Sequence, residues 1–136
     1  MVDSNDILRF KSLPENLTLV EDYIEKVCNE CNVGPDVFGN ILVSVTEAVN
    51  NAIYHGNDSD ESKEVQLSYH FNKELHKISF IVKDQGSGFD YNNLPDPTAP
   101  ENLSMIGGRG VFLIKQLADW VIFSDNGSVL EIQFKV

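Results

Sequence analysis

The sequence predicts an α+β fold in which helices pack on one face of a mixed, mainly antiparallel sheet. Two pairs of neighbouring segments alternate apolar and polar residues as strands do, and a short turn joins each pair. Three other segments repeat apolar residues at steps of three or four, as helices do, and they are scattered along the chain. The order β-α-α-β-β-α-β-β therefore favours a sheet built from hairpins with a helical layer on it.

The first half of the chain predicts one strand and two helices. Residues 6–12 alternate and form the strand, and Pro14 opens a first helix that runs to about Cys31. Pro35 begins the second helix after a break that contains Gly and Pro, and Gly56 and Asn57 end it. Both helices carry an apolar stripe, which predicts that they cover the sheet.

The second half predicts two hairpins, separated by a long loop and a third helix. Residues 64–71 and 77–83 form the first hairpin, and residues 120–124 and 129–136 form the second. Residues 90–107 lack periodicity and contain three prolines. A loop of this length inside a compact domain is often a functional lid.

Length and composition predict a single globular domain, residues 1–136. The hydrophobic content is 42%, and no apolar run is long enough to span a membrane. The N-terminus lacks a basic start and an apolar signal core, so a cytoplasmic location and no membrane partner are expected. The formal net charge of −11 would repel phosphates, so no nucleic-acid partner is expected either.

The two cysteines, Cys28 and Cys31, form a C-x-x-C motif that is open to a redox interpretation. However, the motif falls near the end of the first helix, where the helix dipole disfavours a thiolate. A zinc site would need two further ligands at useful spacing, and none is evident. We therefore predict reduced, structural thiols.

The second helix carries polar residues on a face beside its apolar stripe. This face consists of Ser44, Glu47, Asn51, Tyr54 and His55. Glu47, Asn51 and His55 follow one another at four-residue intervals, so they stack along about two turns. An acid, an amide and an imidazole in line indicate a metal and phosphate site, although a half-buried helix would also show a polar side.

Each of these side chains suggests its own chemistry. Asn51 offers a neutral oxygen of the kind that Mg²⁺ accepts. Glu47 is either a general base on the hydroxyl or water that attacks a γ-phosphate, or a magnesium ligand through water. His55 either lines the phosphate region or interacts with the dipole at the helix end. Asn50 lies about 100° round the helix from Asn51 and is an outward neighbour rather than a ligand.

Two glycine-containing motifs complete the set of candidates. Asp84 ends an apolar strand, where a fixed carboxylate would accept a hydrogen bond from an exocyclic amine such as that of adenine. Gly86 and Gly88 would allow a sharp turn and the close approach of a flat ring, although the same residues also suit a simple turn.

The second motif, Gly107-Gly108-Arg109-Gly110, lies just before the third helix. Backbone N–H groups at a helix N-terminus bind anions, and glycines let phosphates come close. A flexible capping loop is the alternative, with Arg109 facing solvent. The spacing is not that of a P-loop, and the position is not that of a dinucleotide fingerprint.

Together the motifs resemble the GHKL ATPase superfamily, which includes gyrase, histidine kinases and heat-shock chaperones. Glu47-Ala48-Val49-Asn50-Asn51 with His55 is similar to its N-box, Asp84-Gln85-Gly86-Ser87-Gly88 to its G1 box, and Gly108-Arg109-Gly110 to its G2 box. The resemblance covers about residues 8–136. Two segments, A-V-N-N-A-I-Y-H-G-N and D-Q-G-S-G-F-D, most resemble the corresponding sequences of the stand-alone anti-sigma factor serine kinases.

The resemblance implies a two-layer α/β sandwich that binds ATP and Mg²⁺. It implies that Glu47 is the catalytic base and that Asn51 holds Mg²⁺. Asp84, helped by Gly86 and Gly88, would bind the adenine amine, and Gly108 and Gly110 would cradle phosphate at the third helix. His55 and Arg109 are further candidates for the nucleotide site. Arg109 departs from the pattern, because many members carry a small or apolar residue there.

The resemblance also implies the reaction and the partners. The γ-phosphoryl group of ATP would move to a serine of an anti-anti-sigma factor, and the same domain would sequester a sigma factor. A homodimer is usual in the family. The alternatives are a non-catalytic ATP-binding regulatory module and, more distantly, an interaction protein that does not bind nucleotide.

Overall fold

The structure, a computed structural model, describes residues 7–86 and 108–136. In chain order the elements are β1 (Leu8–Lys11), α1 (Leu17–Glu30), α2 (Pro35–Asn51), β2 (Glu64–Asn72), β3 (Lys77–Lys83), α3 (Gly108–Leu117), β4 (Trp120–Ser124) and β5 (Val129–Lys135). A 3₁₀ turn, Pro14–Asn16, precedes α1, and a π turn, Ala52–Gly56, continues α2. The predicted lid and Gly88 lie outside the described residues.

The sheet has five strands in the order β1-β2-β3-β5-β4. All four pairings among the described strands are antiparallel, so the predicted α+β fold and both predicted hairpins are confirmed. The last strand, β5, lies between β3 and β4. β3 therefore pairs with β2 on one side and with β5 on the other, and its Phe80 lies opposite Tyr69 of β2 and Ile132 of β5. The end of β3, which carries the candidate Asp84, is therefore near the middle of the sheet.

One face of the sheet and the inner sides of the helices form a single core. Alternate residues of β2, β3 and β5 are buried, as period-two patterning requires. On α2 the fully buried residues include Ile41, Val45 and Val49, at steps of four, and this confirms the predicted apolar stripe. Because α2 packs against α1 and α3 as well as the sheet, it is held firmly in position.

Cys28 and Cys31 are both free thiols, as predicted. Burial, followed by the charge of Cys31, raises the pKa of Cys28 to about 12. Burial and the charge of Glu30 also raise the pKa of Cys31. Both thiols therefore stay protonated and unreactive at neutral pH.

In the part of the chain that the structure describes, none of the helices combines the length and the apolar character that crossing a membrane requires.

Candidate functional site

Helix α2 holds Glu47 and Asn51 on one side of the core. The two residues are four apart, so their side chains lie one turn from each other on the same side of the helix. Both are half-buried, whereas Val45 and Val49 are fully buried. Packing of the apolar side chains therefore fixes the rotation of α2 and keeps the two polar groups at the edge of the core.

The first turn of α3 lies directly against these two side chains. A β-carbon at Gly110 would be 2.9 Å from Asn51 Nδ2 and 3.2 Å from Glu47 Oε2, which is tighter than almost any real contact of this kind. Glycine at position 110 thus lets α3 approach α2 closely. The structure brings Glu47, Asn51 and the N-terminus of α3 together at one place.

The position of the glycines differs from the sequence prediction. Gly108, Arg109 and Gly110 were expected just before the third helix, but α3 begins at Gly108 and they form its first turn. Glycine costs about 1 kcal/mol relative to alanine inside a helix, and the packing of α3 on α2 outweighs that preference. The first N–H groups of α3 have no acceptor within the helix, so they suit an anion.

Asp84 lies where β3 leaves the sheet, against the end of the π turn that continues α2. Its backbone N–H donates to Ser128 O at 3.0 Å, and its Oδ1 accepts from Gly86 N at 2.8 Å. A β-carbon at Gly56 would overlap the Asp84 carboxylate, and one at Gly86 would overlap the carbonyl oxygen of Gly56. Two glycines therefore let the Asp84 turn and the end of α2 touch through their backbones.

The environment of Asp84 favours its neutral form. Burial raises the pKa of Asp84 above its ordinary value of 3.8, because the charged carboxylate is poorly solvated. The hydrogen bond from Gly86 and the charge of Lys63 act in the opposite direction and are weaker. Since the folded pKa exceeds the unfolded one, the native state binds this proton more readily, and ionised Asp84 lowers stability at neutral pH.

Asp84→Asn is therefore expected to raise the free energy of unfolding at pH 7. The amide avoids the cost of burying a charge, and its oxygen still accepts from Gly86. The difference in free energy of unfolding between Asp84→Asn and wild type should shrink as the pH falls through the raised pKa of Asp84 towards the ordinary value of 3.8. In that range the wild-type carboxylate takes up a proton and no longer carries a buried charge. Urea unfolding of both proteins across this range measures the difference.

Asp60 provides a control in which the same type of substitution should change the stability in the opposite direction. Hydrogen bonds from Ser62 lower the pKa of Asp60, so its carboxylate contributes stability above 3.8 that is lost as the pH falls. Asp60→Asn should thus lose stability at pH 7. If Asp84→Asn were also less stable than wild type at pH 7, the inference that burial of its charge is costly would be wrong.

Two other residues of the predicted polar face, His55 and Ser44, differ in exposure. His55 is exposed in the π turn, and its side chain has no hydrogen bond or ion pair with residues 7–86 or 108–136. Ser44 was placed on the polar face but is fully buried, and its hydroxyl has no hydrogen-bond partner within those ranges. Residue spacing alone did not reveal that the core encloses α2 one turn before Glu47.

Sequence reasoning missed the contributions of Gly56 and Asn57, which it treated only as the stop of the second helix. Gly56 contacts Asp84, and the Asn57 side chain bonds to Gln85, the next residue after Asp84. The helix stop itself is a π turn, closed by a bond from Asn57 N to Ala52 O at 2.8 Å. π turns occur frequently at functional sites, but residue pattern alone does not predict one here.

The donor set around Glu47 and Asn51 is suited to a magnesium ion that the protein binds only in part. A carboxylate and an amide oxygen are hard oxygen donors, which Mg²⁺ prefers, and Mg²⁺ often takes its other ligands from water and substrate phosphates. Among residues 7–86 and 108–136, no group of three or more His, Cys, Asp or Glu forms a metal site of its own. The residues therefore fit Mg²⁺ bound together with a polyphosphate.

Known structures share this fold. The chain superposes on the RsbU and RsbW domains of Rv1364c from Mycobacterium tuberculosis with a TM-score of 0.57 at 11% identity, covering 96% of this chain and 32% of that one. It superposes on the histidine kinase domain of a blue-light activated histidine kinase from Erythrobacter litoralis with a TM-score of 0.54 at 20% identity, covering 85% and 60%. This chain therefore spans less than two thirds of either solved chain.

Sequence comparison shows the family. The serine-protein kinase RsbW of Listeria innocua is 27% identical over 127 residues, which cover 88% of this chain and 80% of the relative. The RsbW of Oceanobacillus iheyensis is 25% identical over 134 residues, covering 94% and 84%. Residues 10–134 match the family described as the histidine kinase-like ATPase domain. The chain thus belongs to the histidine kinase-like ATPase domain family.

Proposed function

We propose that the protein is an ATP- and Mg²⁺-dependent protein-serine kinase that acts as an anti-sigma factor. The observation that carries the proposal is the contact of Gly110, in the first turn of α3, with both Glu47 and Asn51. This contact joins a carboxylate, an amide oxygen and a helix N-terminus. The relatives named serine-protein kinase support the choice of serine as the phosphate acceptor.

In this proposal the adenine of the nucleotide binds at Asp84, and its phosphates bind at the N-terminus of α3. The carboxylate of Asp84 accepts a hydrogen bond from the exocyclic amine of adenine, with Gly86 and Gly88 beside the ring. The N–H groups of α3 hold the phosphates, and Arg109 adds positive charge there. Asn51 holds Mg²⁺, which when bound neutralises phosphate charge. His55, which is exposed next to Gly56, is proposed to line the phosphate region of the same site.

Glu47 is the proposed general base. Its carboxylate accepts the proton of the serine hydroxyl, the serine oxygen bonds to the γ-phosphorus, and the bond from that phosphorus to the bridging oxygen breaks. The products are phosphoserine and ADP, and the proton resides on Glu47. The half-buried position of Glu47 keeps the carboxylate in place while leaving one side open to the hydroxyl.

The proposed acceptor is a serine of an anti-anti-sigma factor, and the proposed second partner is a sigma factor that the protein sequesters. We further propose a homodimer of single-domain subunits, residues 1–136, in the cytoplasm. The exposed edge of β1, which pairs only with β2 among the described strands, is consistent with association between copies.

The proposal is tested first by isothermal titration with Mg-ATP and then by incubation with [γ-³²P]ATP and the cognate anti-anti-sigma protein. We expect saturable ATP binding and label on a partner serine. ATP binding without label transfer would favour the alternative function, a non-catalytic regulatory module. Absence of ATP binding would overturn both functions and leave an interaction protein.

A further inference from the structure

We propose that Asn57 is a positioning residue that holds the Asp84 turn in the geometry for adenine recognition. The inference rests on the proposed function, in which Asp84 binds the amine of adenine. Asn57 is fully buried, and its side chain bridges the end of α2 and the Asp84 turn. It is the last residue of the A-V-N-N-A-I-Y-H-G-N segment, but none of the predicted site roles was assigned to it.

Both N–H protons of the Asn57 side-chain amide are used in hydrogen bonds. Its Oδ1 accepts from the backbone N–H of Gln85 at 2.7 Å. Its Nδ2 donates to Ser12 Oγ at 2.8 Å and to Glu64 O at 3.0 Å. Because both amide protons have acceptors, the orientation of the amide is fixed, and so is the oxygen that faces Gln85.

The bond to Gln85 acts on Asp84 through the backbone. Gln85 stands between Asp84, whose carboxylate touches Gly56, and Gly86, which touches the Gly56 carbonyl. Asn57 is the neighbour of Gly56 in the chain, so one side chain spans the two segments where they meet. The turn is also held by Asp84 N, which donates to Ser128 O, and by Glu64 N, which donates to Gln85 Oε1 at 2.7 Å. Loss of the Asn57 bond would remove the link between Gln85 N and the segment that carries Gly56, so the Asp84 carboxylate would be held less tightly against Gly56.

The other end of the network lies where the first two strands meet. Ser12 Oγ donates to Lys63 O at 2.8 Å, and Ser12 N donates to the same oxygen at 3.2 Å. These bonds join the end of β1 to the start of β2. Because Ser12 Oγ also accepts from Asn57 Nδ2, Ser12 belongs to the network, and a control variant must lie outside it.

The experiment compares the affinities for ATP and ITP, because the purine of ITP carries a carbonyl oxygen in place of the amine. In wild type we expect ATP to bind more tightly than ITP. Asn57→Ala should weaken the binding of ATP about tenfold, which corresponds to the loss of roughly one hydrogen bond. It should weaken the binding of ITP less than about twofold. Isothermal titration below the melting temperature of each variant gives both dissociation constants.

Val27→Ala is the control, since Val27 is a fully buried apolar residue of α1 outside the hydrogen-bond network. It should lower the melting temperature and leave the ATP-to-ITP preference intact. If Asn57→Ala does not fold, Asn57→Ser replaces it, because its shorter side chain does not reach Gln85 N and should lose the same preference. A preference that survives in the Asn57 variant, or that falls equally in Val27→Ala, overturns the inference. Failure of wild type to bind ATP would instead overturn the proposed function.

Discussion

Replacement of Glu47 by Gln is expected to slow phosphoryl transfer about 10²- to 10⁴-fold, the usual contribution of a general base. The amide is nearly isosteric and fits the space beside Gly110, but it does not accept the serine proton. ATP affinity should stay within about threefold of wild type, since the base acts mainly in the transition state. Single-turnover label transfer and isothermal titration measure the two quantities separately.

Glu74→Gln is the matched control, because it removes one negative charge from an exposed position in the turn between β2 and β3. It should leave both transfer and binding unchanged. Transfer at the wild-type rate in Glu47→Gln would eliminate Glu47 as the base. A parallel loss of ATP binding would show instead that Glu47 is needed to form the site.

Gly86→Ala is expected to destabilise the protein by about 1–3 kcal/mol and to abolish ATP binding. The added methyl group would overlap the backbone carbonyl of Gly56, which has no flexible side chain to move aside. Relief of the overlap would require the Asp84 turn to separate from the end of α2. Urea unfolding and isothermal titration with Mg-ATP measure the two effects.

Gly39→Ala provides the comparison for this prediction. Gly39 lies within α2, and a β-carbon there would meet nothing within 4 Å. The substitution should therefore stabilise the protein by about 1 kcal/mol through helix propensity alone. Should Gly86→Ala behave like Gly39→Ala and still bind ATP, the close contact at Gly56 would not be required.

The elements of this fold were predictable because their signals are local. Alternation and turn residues predicted strands 77–83 and 120–124 at the bounds observed for β3 and β4. Apolar spacing and Pro35 predicted the start of α2 in the same way. The candidate residues Glu47 and Asn51 were identified from the same helix because four-residue spacing shows directly which side chains share a side.

The remaining features depend on contacts between distant parts of the chain. Nothing near Gly56 in sequence shows that it touches Asp84, and nothing near Asn57 shows that it is buried against Ser12. The burial of Ser44 likewise depends on how the core closes around α2. Such contacts follow from the assembled layers, so residue pattern alone did not predict them.

The insertion of β5 between β3 and β4 has a consequence for how the protein is made. β3 emerges from the ribosome well before its partner β5, and its edge stays unpaired until β5 has been synthesised. This distant pairing is slow to form and leaves an edge open to other chains in the meantime. Because Asp84 N bonds to Ser128 O just before β5, the turn that carries Asp84 is completed only when that segment is available. Nascent chains should therefore be prone to aggregate, and unable to recognise nucleotide, until β5 has emerged.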